Sequence, residues 1–509
     1  VSSVSTPSAT PAPAADDARV RLVLRVLTAA AFVVILNETL MLNALPPLMA
    51  AFGVDAGAGQ WLTTGFMLTM AVVIPMTGWL LKRLSIRAAF LLAMSVFIVG
   101  TATAALAPTF SILLLGRVIQ ASGTAVMMPL LMTTIMTMVP PQRRGRVMGN
   151  LTLAISVAPA MGPPVSGLIL QVASWRWLFL LVLPIAAAML IGGARLLRGS
   201  DPGCEARLDV LSALLTALGF GGLVYGLSAL GEGAPGPVGP GTSLAVAGVA
   251  LALFVWRQLS LARRDETLVF LDLRALQVTR YAVPLALMCL AFMALIGAML
   301  LLPILLQQVR GFSTLASGLM LMPGGLAMGL LGPTVGRLYD RFGPRPLVVP
   351  GGVGLVTGMA GMALLATEVP WWGLVGLHVL VSISLAFLFT PSFTAGLGAL
   401  PHRLYSHGSA MLGTGQQVAA AAGTALVVTV METRAHQLGL GGTPELEALS
   451  GGIVSGLVVA TGITVGALVL ALFVRAPLPE SGDGSADPEV RDGEPARATG
   501  GTAYPEPAV

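Results

Sequence analysis

AFLLAMSVFIVGTATAALA, residues Ala89–Ala107, runs nineteen positions without a charge or a proline. A helix needs roughly 20 apolar residues to cross about 30 Å of hydrocarbon, and this stretch supplies them. An outer-membrane barrel would instead show alternating segments of about ten residues. Runs of the same kind recur at about residues 22–46, 61–81, 88–107, 111–139, 147–170, 175–197, 208–230, 242–261, 281–307, 315–336, 346–366, 371–396, 411–432 and 452–475. The first is too long for a signal-peptide core and reads as a retained span. The predicted fold class is therefore an all-α membrane protein with fourteen transmembrane helices.

Composition agrees. Of 509 residues, 55% are hydrophobic and only 10% charged, and the mean hydropathy is +0.87, whereas about a quarter of an ordinary soluble chain is charged. The Pro/Ala/Ser/Thr-rich residues 1–21 and the Gly/Pro/acidic residues 477–509 read as disordered tails. Fourteen spans put both termini on one side. Basic residues crowd that side, leaving Arg176, Arg310 and Arg434 opposite and Arg117 inside a span. By the positive-inside rule both termini are expected in the cytoplasm, in the cell membrane. The formal charge of +5 is then a topological signal, and no nucleic-acid partner is expected.

Several chemistries are closed by missing residues. The single lysine, Lys82, is followed by Arg83, so there is no Walker A loop. No histidine opens an H-E-x-x-H motif, and there is no G-x-S-x-G elbow. Cys204 and Cys289 lie far apart and indicate neither a disulfide framework nor a metal site. No enzyme activity, cofactor or metal is expected, and energy for pumping must come from an ion gradient.

GWLLKRLSIR (Gly78–Arg87) after span 2 and GRLYDRFGPRP (Gly336–Pro346) after span 10 are copies of one pattern. The repeat implies two pseudo-symmetric six-helix bundles, 22–200 and 281–476, with two inserted helices and a cytoplasmic linker at 201–280, as in many transporter folds. Further motifs lie in order: LNETLMLNALP (Leu36–Pro46), LLLGRVIQASGTA (Leu113–Ala125), GPPVSG (Gly162–Gly167), WRWLFLLVLPI (Trp175–Ile185), LDLR (Leu271–Arg274) and SHGSAMLGTGQQVAAAAG (Ser406–Gly423). Through these the chain resembles the major facilitator superfamily, specifically its fourteen-span drug:proton antiporter branch, over about residues 22–475. Two departures stand out. The family's usual Asp at position 37 is Asn37, with Glu38 beside it, an Asn-Glu-Thr variant that resembles lincomycin-resistance exporters. The usual Asp of the first cytoplasmic loop is Lys82, whereas the second copy keeps Asp340.

Glu38 is the one acidic residue well inside a span, and burying its charge costs several kcal/mol unless it is protonated, paired or hydrated. Counting 1.5 Å per residue places Glu38 and Arg117 at similar heights of about 20 Å, so the two can interact. One reading makes them the proton-coupling pair; the other makes them a permanent ion pair that only ties spans 1 and 4. Asn37, Asn43, Gln120, Thr124 and His378 are candidates to line a substrate cavity. Gly162, Pro163, Pro164 and Gly167 form the antiporter motif, where prolines and small residues favour a bent, closely packed helix. Gly325 to Gly329 and Gly332 to Gly336 repeat G-x-x-x-G spacing and read as helix contacts. Gly78, Arg83, Arg87, Gly336, Asp340, Arg341, Gly343 and Arg345 are the candidate cytoplasmic gate, although without an acid the first copy reads as topology alone.

The resemblance implies a proton-coupled antiporter that exports amphipathic or lipophilic small molecules by alternating access. Its partners are a small-molecule substrate, protons and membrane lipid, and it is expected to be a monomer. The alternatives are a dedicated exporter of one endogenous metabolite and a non-transporting membrane sensor.

Overall fold

The computed structural model describes residues 14–41, 44–197, 209–232, 238–264 and 268–476. Residues 1–13 and 477–509 of the tails, and the candidates Asn43 and Cys204, lie outside the described residues. With no water in hydrocarbon to satisfy backbone groups, the chain must bond them internally. Among the described residues, fourteen helices are long and apolar enough to do so while crossing a bilayer. Spans 1 to 6 are Arg19–Leu40, Gly57–Arg83, Ile86–Ala105, Phe110–Met138, Pro141–Val172 and Trp177–Leu196. Spans 7 and 8 are Val210–Leu230 and Pro240–Arg264. Spans 9 to 14 are Thr279–Val309, Leu315–Phe342, Arg345–Leu365, Trp371–Gly398, His402–Leu440 and Glu445–Phe473.

Helix starts are set locally. Asp55, Ser85, Thr109 and Ser313 each accept an N–H three residues on, opening spans 2, 3, 4 and 10. Span 10 ends at Gly343, whose φ of 76° favours glycine. Three boundaries differ from the hydropathy reading. The first helix begins at Ala14, inside the stretch read as tail, because alanine is a strong helix former. It stops at Leu40, and a separate short helix, Leu45–Phe52, restarts with Pro46 and Pro47 in its first turn, where proline fits. Span 13 extends over Tyr405–Leu440, past its apolar centre at both ends, since SHGS and ETRAHQ are polar yet helical.

Packing follows a two-fold pattern. Span 1 packs on spans 4, 5 and 6, as span 9 packs on spans 12, 13 and 14; span 4 packs on spans 2 and 3, as span 12 packs on spans 10 and 11. Two seams join the halves: span 5 against span 10, and span 2 against span 13. Span 7 lies beside the second seam, touching both spans 2 and 13, and carries span 8 on its outer side. Large apolar side chains such as Leu92, Val99, Leu168, Trp256, Leu330 and Trp372 point outward, where lipid would cover them.

Candidate functional site

Glu38 lies near the end of the first helix, half-buried, and makes no hydrogen bond with any described residue. Arg117, 2% exposed, is near enough for the two charges to attract, yet no ion pair within 4 Å joins them. The guanidinium is held by other groups. Nη1 donates to Gln120 Oε1 at 2.5 Å, and the plane sits 4.1 Å from the centre of the Phe66 ring of span 2. Arg117 Nε is buried without a partner. A permanent salt bridge clamping spans 1 and 4 is therefore not what the side chains form.

Gln120, fully buried, donates through Nε2 to Thr101 Oγ1 of span 3 at 2.8 Å, so it braces Arg117 from behind instead of facing an open cavity. That approach needs Gly100: a Cβ there would run into the Gln120 backbone. Thr124 returns its hydroxyl to the Gln120 carbonyl at 3.0 Å. Asn37 is 2% exposed with its side-chain oxygen unpaired. His378 sits between spans 9, 10 and 12, against Gly324 and Ser382, beside an enclosed space of about 10 Å³ lined by Leu302, Leu306, Met320, Leu321, Trp371, Leu374 and Val375. All these neighbours come from the second half.

The antiporter motif meets the acid through one residue. A Cβ on Gly162 would collide with Thr39, the neighbour of Glu38, and Thr39 Oγ1 also reaches the Ala158 carbonyl at 3.4 Å. Gly162 thus lets span 5 press against span 1 beside Glu38. Pro159, Pro163 and Pro164 lie within the continuous helix Arg144–Val172, and Pro163 faces Gly318 of span 10. Gly167 is different: a Cβ there would meet nothing.

The other face of span 5 follows span 10. Gly325 and Gly329 face Ala160, Val157 and Leu153, while Gly332 and Gly336 lie on the backbones of Gly149 and Gly145. At the end bearing the basic loops, Asp340 Oδ1 accepts from Gly145 N at 2.8 Å and Oδ2 from Arg146 N at 2.9 Å. The helix starts at Arg144, so the carboxylate caps its positive end across the seam. Arg341 lies over the Phe342 ring at 5.0 Å and Arg345 is exposed; Arg83 reaches over Trp79 at 5.7 Å, and Arg87 is half-buried. At the first copy, Lys82 stands in place of the acid, and Gly78 instead gives room to His407 and the Phe270 carbonyl.

Cross-seam contacts also come from residues that sequence reasoning passed over. Thr152 and Thr390 hydroxyls lie 2.8 Å apart between spans 5 and 12, and Thr133 donates to Ser409 at 3.2 Å between spans 4 and 13. The two span pairs correspond between the halves. Arg144, one of the basic residues on the side of the termini, is 5% exposed; it donates to the Met136 and Val139 carbonyls at 2.9 and 3.0 Å and faces the Tyr405 ring of span 13. A basic side chain that donates to the last carbonyls of a helix, here those of span 4, is a general pattern.

Two six-span halves, fourteen candidate membrane helices and glycine-lined seams define a membrane transporter rather than an enzyme. Residues 27–424 match the family described as the Major Facilitator Superfamily, and the chain belongs to it. It is 36% identical over 451 residues to a lincomycin resistance protein LmrB of Listeria monocytogenes, covering 88% of this chain and 95% of that one. It is 38% identical over 458 residues to an uncharacterized MFS-type transporter, YcnB, of Bacillus subtilis, covering 90% and 95%. The crystal structure of the human organic anion transporter MFSD10 superposes with a TM-score of 0.64 at 18% identity, covering 89% and 99%, which bears on the fold.

Proposed function

We propose that this chain is a proton-coupled antiporter that exports amphipathic or lipophilic small molecules across the cell membrane. It works as a monomer with both termini in the cytoplasm. The name of the LmrB relative, lincomycin resistance, supports drug efflux. The observation that carries the coupling is Glu38, an acid without a hydrogen-bond partner among the described residues, set in the field of a braced Arg117. An unpartnered carboxylate deep in a bundle is stable when protonated or hydrated, so its protonation follows access to water. As the halves rock about the two seams, the acid takes up a proton from one side and gives it up to the other. Span 5 ties this acid to the moving seam, since Gly162 contacts Thr39 on one face and Ala160 meets Gly325 of span 10 on the other.

The membrane interior presents no acidic residue on span 10 short of Asp340. Neutral, zwitterionic or singly charged substrates suit that lining better than dications. In proteoliposomes with an imposed pH gradient, Glu38→Gln is expected to abolish proton-driven export while the protein folds as wild type. Unchanged proton-driven export by that folded variant removes Glu38 from the mechanism.

A further inference from the structure

The two seams close differently at their basic ends. Asp340 caps span 5 at one, whereas the other has Lys82 where the acid would be and admits a piece of the linker between spans 8 and 9. Phe270, Leu271 and Asp272 of that linker are at most 2% exposed. The Phe270 carbonyl and His407 both stand over Gly78, where a Cβ would come within 3.2 Å of the first and 2.8 Å of the second. His407 is fully buried, and the charged groups around it are Lys82 of span 2 and Asp272 and Arg274 of the linker.

What holds the linker there is a polar chain built on the inserted spans. Gln258 of span 8, 1% exposed, accepts from Phe270 N at 2.9 Å and Leu271 N at 3.1 Å. Its amide donates to Ser212 Oγ of span 7 at 2.7 Å, and Ser212 donates to Asp209. Asp209 in turn takes two 2.7 Å bonds from Arg257. Asp272 is clasped by Arg274 through Nε at 2.9 Å and Nη2 at 2.7 Å and opens the 3-10 turn Leu273–Gln277. Through Gln258 this chain carries a backbone segment from spans 7 and 8 to the seam between spans 2 and 13.

We infer that residues 269–274, suspended from Gln258, are a latch: they close the basic end of the span 2–span 13 seam in place of the acid that Lys82 replaces, and must withdraw for that end to open. The latch deepens the alternating-access reading and rests on it. It also gives the inserted pair a task, since a transporter of two six-span halves has no other evident need of spans 7 and 8.

Ser409, 1% exposed at the cross-seam contact with Thr133, reports opening of this end. With Cys204 and Cys289 replaced by alanine and Ser409→Cys introduced, the maleimide labelling rate of purified protein in detergent measures it. Gln258→Leu, which removes both bonds that hold the linker, is expected to raise that rate at least about five-fold, the change that loss of even one hydrogen bond makes in an opening equilibrium. An unchanged rate in monodisperse Gln258→Leu protein overturns the latch. If Gln258→Leu does not fold, Ser212→Ala, which removes the outer anchor of Gln258 together with the Ser212–Asp209 bond and leaves both linker bonds in place, is expected to raise the rate in the same direction, and no rise there overturns it equally. Labelling needs neither substrate nor gradient, so the latch can fail while efflux stands, and efflux can fail while the latch stands.

Discussion

Arg117 shows how a buried cation is kept in a membrane bundle without a carboxylate in contact: an amide oxygen on one side, an aromatic face on another, and the more distant Glu38 charge. Removing the amide leaves a desolvated guanidinium short of an acceptor, which costs about 1–3 kcal/mol. Gln120→Leu is therefore expected to lower the melting temperature of purified protein and to weaken export, and an unchanged melting temperature would show that Gln120 is not the brace. Glu38 and Arg117 were legible in sequence because a charge stands out against apolar neighbours. Thr152, Thr390, Thr133 and Ser409 were not, because a hydroxyl on a helix most often returns to its own carbonyl four residues back, as Thr101 and Thr134 do. Nothing in the order of residues marks the few that reach across a seam. Arg144 was hidden in the same way between Arg143 and Arg146, three like charges of which one is folded inward.

Among the elements, span 5 is the one pressed from both sides, and its glycines are not equivalent. Gly162 faces Thr39 at contact distance and Gly167 faces open space, though both belong to the GPPVSG motif. Gly162→Ala forces two backbones apart, a misfit that costs about 1–3 kcal/mol. Gly167→Ala, in open space within the same helix, is expected to cost nothing and to stabilise by up to about 1 kcal/mol. Thermal unfolding and efflux of the two variants side by side check this; equal losses would mean that the motif works through overall helix flexibility and not through the Thr39 contact. The fourteen spans were readable from hydropathy, and the G-x-x-x-G spacing of span 10 announced a close contact. Its partner was not readable, since small residues recur in most spans and only the folded chain selects which pair. The ends of span 13 escaped for a related reason: hydropathy follows the bilayer, whereas the helix continues as long as its residues favour it.

At the scale of the molecule, the repeat of the two loop motifs predicted two related halves, and the packing of spans 1–6 is repeated by that of spans 9–14. The exception, Lys82 against Asp340, is visible in the sequence, but its consequence depends on where the linker runs. Two carboxylates of the latch network lie outside the spans. Asp209 is held below the usual carboxylate range by the hydrogen bonds from Arg257. For Asp272 burial pushes upward, yet the bonds from Arg274 prevail and it too lies below that range. Carboxyls depressed in the native state add stability that is fully present above their unfolded value of about 3.9 and is lost as pH falls through the lower native one. The melting temperature of wild type is accordingly expected to exceed that of Asp209→Asn at neutral pH, with the gap narrowing below about pH 4. A gap independent of pH would place the value of Asp209 in packing alone.

Arg176 donates to the Ala107 carbonyl at 3.1 Å, and Arg310 donates to the Ala366 and Val369 carbonyls at 2.6 and 2.8 Å. Both residues lie on the side away from the termini, Arg176 between spans 5 and 6 and Arg310 between spans 9 and 10, and both finish the end of a corresponding helix, span 3 or span 11. Positive residues on that face ordinarily confuse a chain that is choosing its orientation during biogenesis. Here each is enlisted by the end of span 3 or span 11 once the bundle assembles, so a guanidinium that in the proposed orientation burdens insertion afterwards fastens the finished architecture.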